Sequence, residues 1–75
     1  METLQRLYGL TPSQARLAEF LATGIALADA AGRMNITLVS ARQYLKLIFQ
    51  KTGTNRQAQL VRKIMMIPTM PKGRV

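Results

Sequence analysis

A chain of 75 residues with 48% hydrophobic content holds one small domain: its apolar side chains suffice for a compact core, although folding at this size removes only about 60% of the exposed surface. Histidine and cysteine are absent and the acids number three, Glu2, Glu19 and Asp29; this excludes the usual general bases, thiol nucleophiles, zinc ligands and disulfides, so neither an enzyme nor a metal or cofactor site is expected. The net charge of +8 comes with no uncharged stretch longer than nine residues, far short of the roughly 20 that span a bilayer, and with no secretory signal pattern, so a cytoplasmic setting is expected.

Four helices are expected in chain order, each bracketed by its punctuation. Before them, Met1 to Tyr8 places Leu4, Leu7 and Tyr8 at helical spacing with Gly9 behind, and reads as a short helix or a linker remnant covering residues 1–9. Thr11-Pro12-Ser13-Gln14 matches a capping box with proline at the first helical position. The first helix then runs from about Pro12 to Thr23, with Leu17, Phe20 and Leu21 on one stripe beside Ala18, and stops at Gly24. The second spans about Leu27 to Met34, with Leu27, Ala30, Ala31 and Met34 inward and Asp29 near its positive end. Its small side chains allow close approach of a neighbour, and Asn35 tolerates the positive φ of a sharp reversal.

Thr37 is placed to cap a third helix over Leu38 to Thr52. Leu38, Ala41, Leu45, Ile48 and Phe49 fall on its inner face; Val39, Arg42, Gln43, Lys46 and Gln50 fall on the opposite one, which carries two cations, two amides and no acid. Gly53 ends it. Thr54-Asn55-Arg56-Gln57 repeats the capping-box pattern and starts a fourth helix, with Ala58, Leu60, Val61, Ile64 and Met65 apolar, until Pro68 stops it. Residues 68–75 are expected to form a flexible basic tail.

The charge is one-sided. Residues 1–41 set Arg6, Arg16 and Arg33 against the three acids and balance to zero; residues 42–75 carry Arg42, Lys46, Lys51, Arg56, Arg62, Lys63, Lys72 and Arg74 against none. Such a field draws polyanions, nucleic acid first and anionic membrane second.

The order Ala31, Asn35, Ala41 provides the small residue, turn residue and apolar contact of a helix-turn-helix. Together with Leu10-Thr11-Pro12, Ala22-Thr23-Gly24, Ile36-Thr37, the run Leu45 to Thr54 and Arg56-Gln57-Ala58, it makes the chain from Leu10 to Met65 resemble the LuxR-type (GerE-like) DNA-binding domain of bacterial transcription regulators. The resemblance implies an all-α, four-helix domain over residues 10–67, a third helix that enters the major groove, and a fourth that supplies a dimer contact. It places Arg42, Gln43 and Lys46 at the base-reading positions. The chain departs from the family pattern at Ser40-Ala41 (usually Thr-Val), at Tyr44 (often histidine), at Gln14 (usually an acid) and at Ala26, where relatives tend to have a serine-like cap.

The function expected is sequence-specific binding of double-stranded DNA by a transcription regulator. Gln43 suits a bidentate contact to adenine, Arg42 or Lys46 a donor to guanine, and Val39 a thymine methyl. Ser40, Gln50, Lys51 and Arg56 are the candidate DNA-backbone contacts, the last two helped by amides at the start of the fourth helix. Tyr44 is expected to pack at the core edge. Leu60, Ile64 and Ile67 form a second apolar stripe on the fourth helix and are the expected homodimer contact. The competing readings are a helix-turn-helix that contacts RNA polymerase or another protein, and a basic membrane-surface protein. No membrane partner and no small-molecule ligand is expected within this segment.

Overall fold

The computed structural model describes residues 2–66, with side chains from Leu4 onward. The expected dimer residue Ile67, the stop at Pro68 and the basic tail lie outside the described residues. Over the described chain the fold is all-helical, with five helices rather than four: α1 (Glu2–Tyr8), α2 (Pro12–Ala22), α3 (Leu27–Arg33), α4 (Leu38–Thr52) and α5 (Gln57–Met65).

Of the two readings of residues 1–9, α1 is the short helix. Leu4 is only 1% exposed and joins Leu10 in the core, where α1 packs on α2. Burying one such leucine contributes about 1.5–3 kcal/mol, which is enough to hold a two-turn helix that would be unstable alone.

Helix α2 is the hub, packed against α1, α3, α4 and α5. Its start follows the expected capping box: the Gln14 amide N–H donates to Thr11 Oγ1 and the Thr11 N–H donates to Gln14 Oε1, both at 3.1 Å. From that fixed start, Ala15, Leu17, Ala18 and Leu21 are buried, while Phe20 stays half-buried with the Arg16 guanidinium 5.8 Å from its ring centre. The largest fully buried side chains are Leu4, Leu17, Leu21, Ile48 and Leu60. Helix α3 contributes only Ala30 and Ala31 to the buried set, so its backbone can lie close to both α2 and α4.

The reversal after α3 also forms as expected. Asn35 has φ 61°, its N–H donates to the Gly32 carbonyl, and the Ile36 N–H donates to the Ala31 carbonyl at 3.0 Å. These two bonds satisfy helix-end carbonyls in a Schellman pattern. The opposite end of α3 is weaker, because Ala26 stands at the N-cap and has no side-chain oxygen to offer. Ala26→Ser is therefore expected to stabilise the fold by about 1 kcal/mol, read as a thermal midpoint several degrees higher. An unchanged or lower midpoint would show that the α3 amides are already satisfied.

Two local expectations are corrected. Leu38 was expected inside and is instead exposed at the edge of the first turn of α4. Helix α5 begins at Gln57 and not at a Thr54 cap; the Thr54 hydroxyl is hydrogen-bonded to the Thr52 hydroxyl at 2.9 Å. The Asn55 N–H donates to Gln59 Oε1 instead, and Arg56 occupies the N-cap position without a side-chain cap bond.

Candidate nucleic-acid interface

The site is built on α4, whose orientation is fixed from both ends and from beneath. At its start the Thr37 Oγ1 accepts from the Ser40 N–H at 3.0 Å, and at its end Gly53 adopts φ 72°, where the Thr54 N–H donates to the Phe49 carbonyl. Beneath, Ala41, Ile48 and Thr52 are buried, and Tyr44, Leu45 and Phe49 are half-buried against the core. Helix α3 packs on α4 across the short turn of residues 34–37.

With 100° of rotation per residue, Val39, Gln43, Lys46 and Gln50 fall within an arc of about 60° directly opposite Ala41 and Ile48. All four are exposed. At 1.5 Å per residue the stripe is about 17 Å long, or about five base-pair steps. Arg42, also exposed, lies about 70° to one side of the stripe, above the half-buried Phe49; Ser40 and Leu47 lie on the other flank. Among the described residues, Arg42, Gln43, Lys46 and Gln50 take no intramolecular hydrogen bond or ion pair, so their donors and acceptors face solvent. Ser40 keeps its own O–H available while its oxygen accepts from the Thr37 hydroxyl.

No known protein family, curated protein or solved structure matches the chain. The likeness to the LuxR-type domains therefore rests on the residues and spacing of the chain alone.

Three expected site residues have other work. Lys51 Nζ donates to the Gly9 carbonyl and to Gln14 Oε1, each at 2.9 Å, and so ties the end of α4 to the α1–α2 turn and to the capping box of α2. Two of its three N–H donors are committed inside the fold, so one remains for the DNA-backbone contact expected of it. Lys51→Met is expected to cost about 1–2 kcal/mol of stability through the two lost bonds, measurable by thermal or denaturant unfolding. Stability equal to that of the parent chain would show that the links carry no free energy.

Leu60 and Ile64, expected at a dimer contact, are 0% and 6% exposed and pack with α2 in the chain's own core. They cannot also line an interface. The apolar residues exposed on α5 and at its C-cap are Ala58, Met65 and Met66, with Val61 half-buried.

Arg56 is exposed at the start of α5, close in sequence to the end of α4. Tyr44 packs against the core edge, as expected. Leu47 was not singled out from the sequence; its apolar side chain, 42% exposed, lies beside Gln43 on the flank of the stripe.

Proposed function

We propose that the chain is the DNA-binding part of a cytoplasmic transcription regulator and reads double-stranded DNA by laying α4 in the major groove. The observation that carries this reading is the outward stripe of α4. It combines a cation, two amides and an apolar tip, all solvent-exposed and none committed within the fold, on a helix rigidly held by α2 and α3. A B-DNA major groove admits one α-helix, and readout requires side chains free to meet base edges.

In this arrangement Gln43 presents both amide atoms for adenine, and Lys46 donates to guanine or to a phosphate. Val39 meets a thymine methyl. Arg42, off the axis of the stripe, reaches either a base edge or the nearer backbone, while Ser40, Gln50 and Arg56 hold phosphates and set the register. Helix α3 packs on α4 across a short turn, as the first helix of a helix-turn-helix does on the second.

The test is selection of bound duplexes from a random pool, followed by affinity measurements across salt concentrations. A defined motif is expected, with log affinity falling against log salt at a slope of about −3 to −4 if Arg42, Lys46, Arg56 and the remaining donor of Lys51 displace counterions. Recovery of no motif, with equal affinity for every duplex, would contradict sequence-specific readout.

A further inference from the structure

We infer that a second surface, the groove between the α4–α5 turn and α5, receives an acidic segment of another protein that also carries an apolar side chain. The groove has a volume of about 300 Å³ and is lined by Gly53, Thr54, Gln59, Arg62, Lys63 and Met66. Gln59, Arg62 and Lys63 of α5 and its C-cap residue Met66 lie at positions i, i+3, i+4 and i+7 and so share one side of the helix. This face shares no residue with the α4 stripe, and the inference does not depend on DNA binding.

Charge selects the occupant. Arg62 and Lys63 are exposed, no acid lines the groove, and among the described residues neither cation has an intramolecular partner. Gln59 is already oriented: its Oε1 accepts from the Asn55 N–H, which leaves its NH₂ group to donate outward. A partner offering carboxylates and carbonyl oxygens satisfies all three donors.

The apolar requirement comes from a thioether. Met66 is 72% exposed just past the end of α5 and lines the groove itself. Methionine adapts its shape to an incoming apolar group. A nucleic-acid backbone would use the cations but set phosphate against this side chain. A second copy placed symmetrically across this face would bring Arg62 and Lys63 toward their own equivalents, with no acid on the groove to offset them. An acidic, apolar-bearing segment uses the cations and the thioether together.

The test is titration of the isotope-labelled chain, followed by amide chemical shifts, with a short synthetic peptide of glutamates and leucines. Two control peptides replace all leucines by serine or all glutamates by glutamine. The expected result is saturable shifts at Gly53, Thr54, Gln59, Lys63 and Met66 with the parent peptide, and their loss with both controls. The double variant Arg62→Glu, Lys63→Glu is expected to weaken peptide binding at least about tenfold while lowering the thermal midpoint by only several degrees, since both side chains are exposed and lose only their attraction to the C-terminal end of α5. The inference is overturned by the absence of saturable shifts, or by shifts confined to Val39, Gln43, Lys46 and Gln50. It is equally overturned if the leucine-free peptide binds as well, if duplex DNA saturates the groove at lower concentration than the peptide, or if the same shifts arise from self-association alone.

Discussion

Leu60→Ala is expected to lower the thermal midpoint of the chain by about 10 °C or more, independently of protein concentration. Leu60 is fully buried in the core and sits on the α5 face that packs on α2. Truncating such a leucine costs about 2–5 kcal/mol, because the transfer free energy of the removed atoms is lost and the surrounding helices collapse only partly into the cavity. A domain of this size has on the order of 4–11 kcal/mol of total stability, so one substitution removes a large share of it. Each kcal/mol corresponds to roughly 4–8 °C in a domain this small. Had Leu60 been an interface residue, the substitution would change the solution mass and leave the midpoint of the dilute chain unaffected. Thermal unfolding at two concentrations separates the outcomes, and an unchanged midpoint would contradict the core assignment.

The second large effect concerns readout. Gln43→Ala is expected to lose about 1–3 kcal/mol of discrimination, or roughly 5- to 150-fold, at one base pair of the selected motif, with a smaller change in affinity for unrelated duplexes. Gln43 is near the middle of the α4 stripe, exposed, and neither its amide nitrogen nor its oxygen is engaged within the fold. Removing the amide therefore strands no partner inside the protein, and the loss falls on the base it reads. Arg56→Ala, at the start of α5, is expected to act differently, weakening all sequences alike and making the salt slope shallower by about 1. Affinities of both variants across duplexes with single base-pair changes provide the check. Uniform weakening by Gln43→Ala would remove it from base readout.

Much of this architecture was legible from local chemistry. The Thr11–Gln14 capping box, the positive φ at Asn35 and the span of α4 between Thr37 and Gly53 depend on residues within a few positions of one another, and the sequence displays such pairs directly. The outward stripe of α4 was legible for a similar reason, since helical periodicity alone separates Gln43 and Lys46 from Ala41 and Ile48.

What the sequence concealed depends on partners distant in the chain. Leu4 looks like one leucine in a short amphipathic segment until α2 provides a surface for it. Lys51 looks like a free cation, and only the fold brings it within 2.9 Å of Gly9 and Gln14, residues 42 and 37 positions away. Helix α5 has two apolar stripes, and periodicity cannot say which one meets α2; the packing of Leu60 and Ile64 decides it.

The most direct test of DNA reading by α4 is an amide chemical-shift titration with the duplex recovered by selection. Contact through the major groove requires saturable shifts at Val39, Gln43, Lys46 and Gln50, larger than those at exposed positions elsewhere such as Glu19. If the duplex binds and these four signals stay in place while others move, α4 is not the reading helix.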